Sequence, residues 1–139
     1  MDHYVFEATK RNRGQAENRF FIQGDPKAIL VAELTRDSVE TVEEDTQKLI
    51  EALKRGGLGY SYPVVSGEDI KKVWDLRKAG LGLLSNVPGD EKPVPVIEDT
   101  AVDVNDLPNY IRDFNEILKK HDLYSVHYAH AGSGEIHLR

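Results

Sequence analysis

The sequence predicts an α+β sandwich, with helices on one face of a mostly antiparallel sheet. Short apolar runs alternate with longer stretches in which apolar residues recur at helical spacing. The last segment, residues 124–139, places two apolar runs around Gly-Ser-Gly, a pattern typical of an antiparallel hairpin. The 139 residues are enough for a single domain with its own core.

The elements are expected in the order strands, helix, strand, helix, strand, helix and hairpin. A pair of strands at 20–24 and 28–34 precedes a helix over 38–55, which Ser38 caps and Gly56-Gly57 ends. The later strands and helices are predicted at residues 60–65, 67–84, 94–104 and 106–120, with a polar loop at 86–93.

Composition excludes several classes of function. The net charge of −6 argues against a nucleic-acid partner, because phosphate binding needs clustered Lys and Arg. The chain has no cysteine, so disulfides, thiolate zinc sites and Fe–S ligands within it are excluded. No apolar run approaches the ~18 residues of a membrane span, and the polar start is unlike a signal peptide. We therefore expect a cytoplasmic protein without a transmembrane segment.

Two histidines of the terminal hairpin are candidate metal ligands. A two-residue turn at Ser133-Gly134 would place His130 opposite His137, with Cβ atoms about 5 Å apart on one face. Two imidazoles at that separation suit a zinc ion. Glu135 lies on the same face as a candidate third ligand, although that ligand could equally lie beyond Arg139. The alternative is a structural hairpin whose histidines bind water or carbonyl groups, while His127 should point to the other face.

Charged residues in apolar surroundings form a second group of candidates. Arg77 occupies a position on the 67–84 stripe that calls for an apolar side chain, and a buried guanidinium needs a carboxylate partner. That partner is either a substrate carboxylate or an internal acid, with Glu98 and Asp99 as candidates. The third alternative is that the Arg77 side chain extends from the edge of the core into solvent. These two adjacent carboxylates lie in an apolar strand, so one of them should face the helices or a cleft. Either could act as a base or pair with Arg77.

The motifs VWDLRKAGLGLL, PVIEDTAV and HYAHAGSGEIHLR occur in this order over about residues 66–139. Together they resemble the C-terminal domain of FAD-linked oxidases of the vanillyl-alcohol-oxidase type, which include D-lactate dehydrogenases, glycolate oxidase flavin subunits and D-2-hydroxyglutarate dehydrogenases. The resemblance implies a ferredoxin-like cap domain that builds the substrate site together with a separate FAD-binding domain. It implies that residues 1–139 are one domain, a fragment of a larger flavoenzyme whose FAD-binding domain is absent.

The resemblance also assigns roles to individual residues. The family hairpin Gly-His-x-x-x-Gly-Asn-x-His supplies two metal ligands, which map onto His130 and His137, with Ala129 and Glu135 in place of the glycine and the asparagine. The family's third ligand is a glutamate beyond Arg139. Arg77 matches the arginine that binds the substrate carboxylate. Glu98, Asp99 and Arg139 are further candidates for substrate binding.

The implied reaction is oxidation of a D-2-hydroxy acid by hydride transfer to flavin. FAD would be bound mainly by the absent domain, with zinc or another divalent metal at the hairpin. The implied partners are that FAD-binding domain, a small hydroxy acid and, in large fused members, an Fe–S module. The fragment alone is expected to be inactive, and its parent could be peripheral to the inner membrane. Two alternatives are a stand-alone ferredoxin-like module that binds a small ligand or a metal without catalysis, and a purely structural interaction domain.

Overall fold

The computed structural model describes residues 1–84, 89–90 and 92–139, without the side chains of Leu81 and Asp99. Half of the polar loop predicted at 86–93, residues 86–88 and 91, lies outside the described residues. The elements, in chain order, are α1 (His3–Lys10), α2 (Val39–Arg55), α3 (Asp69–Leu83), β1 (Ile97–Ala101), α4 (Leu107–Lys120), β2 (His127–His130) and β3 (Glu135–Leu138). The predicted α+β class is confirmed. No described helix is long and apolar enough to cross a membrane.

The described sheet has three antiparallel strands in the order β1-β3-β2. The hairpin β2–β3 therefore supplies the central and one outer strand, and β1 pairs with β3 from the other side. A β-bulge interrupts the β1–β3 pairing between Ile97 and Thr100. The bulge falls on Glu98 and Asp99, the two acids that the sequence marked as candidates.

Three predicted strands do not form in the described structure. Residues 20–24 and 60–65 have no strand pairing, and in 28–34 only Ala28 makes a bridge, to Asp2. The apolar runs were predicted as strands, but in the structure their side chains Phe21, Ile29, Val31 and Val65 join a cluster with residues of α3. A strand also needs a neighbouring backbone to pair with, and the described chain provides almost none for these segments.

The predicted helices are confirmed with small shifts at their ends. Ser38 caps α2, because its Oγ accepts a hydrogen bond from the Thr41 amide at 3.2 Å. The helix α1 was missed by the sequence analysis. Its signal was present: Asp2 accepts a hydrogen bond from the Val5 amide, and Val5, Phe6 and Thr9 are buried at helical spacing.

The core lies where α1 and α3 meet the hairpin. Val5 of α1 packs with Leu84, Val126 and Tyr128 in one buried cluster. α1 and α3 approach closely at Gly80, where an added Cβ would lie 2.6 Å from a methyl group of Val5. By contrast, α2 and α4 bury no residue. The packed part of the fold therefore holds α3 and the hairpin, the two elements that carry Arg77 and the histidines, in fixed positions.

Candidate metal and substrate site

The register of the hairpin differs from the predicted one. His130 pairs with Glu135, and His137 pairs with Tyr128. The turn spans the four residues 131–134 rather than two, with a short 3-10 segment and Gly134 in the left-handed region at φ 73°. The predicted direct pairing of His130 with His137 is therefore wrong.

The two histidines nevertheless share one face. The register is shifted by two residues, and side chains on a strand alternate with a period of two, so the shift changes partners but not faces. His130 and His137 become diagonal neighbours, with ring centroids 5.9 Å apart. His127 lies on the opposite face, as predicted, where its ring meets Phe114 edge-on and bonds Ser125.

His130, Glu135 and His137 can each offer one ligand atom within 4.8 Å of the others. Two imidazoles and a carboxylate are a donor set that catalytic zinc uses, and it leaves a coordination position for another group. Ligand atoms of a tetrahedral zinc site lie roughly 3.3 Å apart. His137 Nε2 and Glu135 Oε1 are already 3.4 Å apart, and the separations from His130 are at most 4.8 Å. The residues fit a divalent metal in chemistry and, after small rotations, in position.

A second group of candidate ligands consists of His3, Glu7 and Asp25. Here the ammonium group of Lys10 already lies 2.6 Å from the Glu7 carboxylate and 3.9 Å from that of Asp25. A cation is thus present among these acids. In the hairpin trio the Arg77 guanidinium lies 3.5 Å from the His130 ring, but among the described side chains no lysine or arginine lies within ion-pair distance of the Glu135 carboxylate. The hairpin trio is therefore the better candidate for a metal.

Glu98 pairs with the hairpin and not with Arg77. One carboxylate oxygen contacts His137 Nδ1 at 3.0 Å, and the other accepts a hydrogen bond from Arg139 Nε at 2.8 Å. Burial raises the pKa of Glu98, but the hydrogen bonds from Arg139 and His137 outweigh that effect and hold the pKa below its ordinary value. The prediction of Glu98 as a partner of Arg77 is therefore wrong. The side chain of Asp99 lies outside the described part, so its predicted role stays a prediction.

Arg77 is half-buried between α3 and the hairpin. Its guanidinium carbon lies 4.3 Å from the centre of the Tyr128 ring, and Nη2 lies 3.5 Å from both ring nitrogens of His130. Among the described side chains, no carboxylate lies within ion-pair distance of Arg77. Stacking on an aromatic ring stabilises a guanidinium without using its hydrogen-bond donors, which stay available for a carboxylate.

A cleft of about 330 Å³ opens beside Arg77 and His130. Its walls come from the start of the chain, the extended segment 29–31, α3 and the hairpin turn, and they include Met1, Leu30, Trp74, Ala129 and Gly132. The sequence analysis missed Tyr128 and Trp74 as parts of this site. Tyr128 had a signal, because it lies two residues before His130 and must share its face.

The chain is similar in sequence to known D-2-hydroxyglutarate dehydrogenases and to a glycolate oxidase subunit. A D-2-hydroxyglutarate dehydrogenase of Pantoea ananatis is 38% identical over 72 residues, which is 52% of this chain and 7% of that protein. The enzyme of the same name from Pseudomonas putida is 39% identical over 72 residues, again 52% and 7%. The glycolate oxidase subunit GlcD of Bacillus subtilis is 28% identical over 111 residues, 80% of this chain and 23% of that protein.

The chain thus spans only about 7% of the length of the first two relatives. No solved structure matches it at a significant level. The model of the family described as FAD linked oxidases, C-terminal domain, matches residues 1–139, the whole chain. The chain therefore belongs to the family of C-terminal domains of FAD-linked oxidases.

Proposed function

We propose that this chain is the substrate-binding cap domain of an FAD-dependent dehydrogenase that oxidises a small 2-hydroxy acid. The substrate belongs to the D-lactate, glycolate or D-2-hydroxyglutarate class. The observation that carries the proposal is the position of Arg77, whose Nη2 lies 3.5 Å from the His130 ring at the edge of a cleft. A carboxylate-binding group and a candidate metal site are therefore neighbours.

In this proposal Arg77 binds the substrate carboxylate through its guanidinium fork. The half-buried position and the stacking on Tyr128 hold the fork in one orientation, which fixes the direction of the bound acid. The C2 hydroxyl, one carbon from the carboxylate, then falls next to His130. This adjacency matches the 2-hydroxy acid class, in which the two groups are on neighbouring carbons.

His130, Glu135 and His137 would hold the divalent metal, zinc or another. A metal bound there would polarise the C2 hydroxyl and lower its pKa. The hydroxyl proton would pass to a base in the site, and an imidazole whose lone pair binds the metal cannot accept it, so His130 or His137 could serve only while it is not a metal ligand. FAD, bound mainly by another domain of the parent chain, supplies the acceptor for the hydride from C2. An Fe–S module in that parent and a cytoplasmic location stay predictions from the sequence.

The first test is a titration of the chain with Zn²⁺ by calorimetry. We expect one site, which His130→Ala and His137→Ala each weaken at least tenfold. His121→Ala is the matched control, because His121 is exposed at the end of α4 and outside the trio. Binding that is unaffected by both hairpin variants would remove the metal from the proposal.

The second test uses the parent flavoprotein, a panel of D-2-hydroxy acids and an artificial electron acceptor. We expect His130→Ala and His137→Ala to lower kcat while the flavin stays bound. Arg77→Lys should mainly raise KM, because lysine keeps the charge but loses the bidentate fork. Unchanged kcat in both histidine variants together with an unchanged KM in Arg77→Lys would show that this site does not act in catalysis.

The alternative function is a stand-alone module that binds a small ligand or a metal. It predicts that the isolated chain is stabilised by a hydroxy acid alone, through mass action on the folded state. A rise in Tm with D-lactate or D-2-hydroxyglutarate, without any flavin domain, would favour it.

A further inference from the structure

We propose that Glu98 is a positioning residue for His137, and that Arg139 in turn holds Glu98. Glu98 accepts a hydrogen bond from Nδ1 of His137, so that the proton of the neutral ring stays on Nδ1 and the lone pair of Nε2 faces His130 and Glu135. The effect on metal binding rests on the function proposed above, whereas the position of the proton does not.

The distances around His137 distinguish its two nitrogens. Nδ1 lies 3.0 Å from Glu98 Oε2, which is a normal hydrogen-bond length. Nε2 lies 3.4 Å from Glu135 Oε1, which is too long for a strong bond. An ionised carboxylate only accepts hydrogen bonds, and a neutral imidazole has a single N–H to donate. Of these two contacts, the shorter one is the better position for that proton.

Arg139 fixes the carboxylate that receives this hydrogen bond. Its Nε donates to Glu98 Oε1 at 2.8 Å, so the two carboxylate oxygens each have a different donor. The backbone of Arg139 is itself held, since its amide donates to Val126 at 3.1 Å and its carbonyl accepts from Val126. The plane of the Glu98 carboxylate is thus set from two sides.

The β-bulge in β1 explains how Glu98 reaches this position. Ile97 pairs with Leu138 and Thr100 with Ile136, so β1 has one residue more than β3 between these pairs. A bulge re-aims the side chains at its site. The side chain of His137 is only 13% exposed, so water has little room to replace Glu98 as its partner.

The prediction that Glu98 and Arg139 bind substrate stays a prediction. In the structure the two oxygens of Glu98 contact His137 Nδ1 and Arg139 Nε. Histidine ligands of metals typically donate their second ring N–H to a carboxylate, and loss of that partner costs about 10–100-fold in metal affinity. The structure offers such a partner to His137.

The proton on His137 is tested by long-range ¹H–¹⁵N NMR of the metal-free 139-residue chain at about pH 8, where an ordinary imidazole is neutral. We expect the Nδ1–H tautomer in the wild-type chain. Glu98→Ala should shift His137 towards the Nε2–H tautomer, which free imidazoles favour, and Glu98→Gln should restore Nδ1–H, because the amide oxygen still accepts. A wild-type His137 with its proton on Nε2 would overturn the proposal without any variant.

A Zn²⁺ titration separates this inference from the proposed function. If the wild-type chain binds zinc, Glu98→Ala should lower the affinity about 10–100-fold, with Glu98→Gln closer to wild type. Equal affinities in all three proteins would overturn the positioning role. If the wild-type chain binds no zinc while His137 carries its proton on Nδ1, the metal site fails and the positioning by Glu98 stands.

Discussion

Replacing Gly134 by alanine should destabilise this protein strongly, whereas the same change at Gly132 should have little effect. The two glycines flank Ser133 in one turn, so they are matched in chemistry and place. Gly134 has φ +73° and is buried, and a Cβ added there would lie 1.9 Å from the carbonyl oxygen of Val102. Gly132 is exposed, and an added Cβ would meet nothing within 4 Å.

The magnitude follows from two effects. The left-handed backbone conformation costs a residue with a Cβ about 1–2 kcal/mol. The clash adds to this, because the methyl carbon and the oxygen of Val102 must separate by about 1.5 Å to reach an ordinary contact. That movement breaks the hydrogen bond from the Val102 amide to the Gly134 carbonyl, now 3.1 Å long, which is worth about 0.5–1.5 kcal/mol net. We expect a loss of about 2–4 kcal/mol.

Urea unfolding followed by circular dichroism measures this loss. Gly134→Ala should lower the midpoint by roughly 1–2 M, and Gly132→Ala should stay within about 0.5 kcal/mol of wild type. If the chain binds Zn²⁺ as proposed, the folded part of Gly134→Ala should bind it more weakly, because the turn sets the relative positions of His130 and Glu135. Equal stabilities of the two variants would refute the argument from backbone conformation and close approach.

Three further predictions concern other parts of the fold. Gly80→Ala should lower the free energy of unfolding by about 1–3 kcal/mol through overpacking against Val5. In a double-mutant cycle, Val5→Ala should relieve part of that loss, and strictly additive losses of stability would contradict the contact. Ser38→Ala should lower the free energy of unfolding by about 0.5–2 kcal/mol, because it removes the N-cap of α2, while Ser38→Asp should keep the wild-type stability. Equal calorimetric Tm values for the wild type and both variants would show that the cap does not stabilise the protein. Burial lowers the pKa of His127, and the charge of Asp2 opposes this effect. As the pH falls, the unfolded chain therefore binds a proton at this histidine before the folded chain does. The contribution of His127 to stability is complete above an ordinary histidine pKa of about 6.5 and is lost as the pH drops below it. His127→Gln should flatten this fall in urea midpoints between about pH 7 and 5, whereas a slope like that of wild type would assign it to other groups.

The helices were predictable because their signals are local. Ser38 begins α2 and Gly56 follows it, as capping preferences require. The predictions of strands at 28–34 and 60–65 were wrong because strand pairing is not a local property. An apolar run shows that a segment packs against something, but pairing depends on a distant backbone that the run does not specify. In the described structure these segments form no strand, and only Ile29, Val31 and Val65 of them pack in the cluster beside α3.

In the candidate site, too, some features follow from local sequence and others depend on contacts with distant segments. The alternation of a strand is a local property, so the sequence alone determined that His130 and His137 share a face of the hairpin, even though the predicted register was wrong by two. The sequence also identified Arg77 as a charged residue at an apolar position of the helix. Only the tertiary structure decided that Arg77 meets His130 and not Glu98, and that Glu98 turns to His137 through a bulge in β1. Those contacts join positions 39 and 53 residues apart, and their geometry depends on how α3 and β1 pack on the hairpin, which no spacing along the chain encodes.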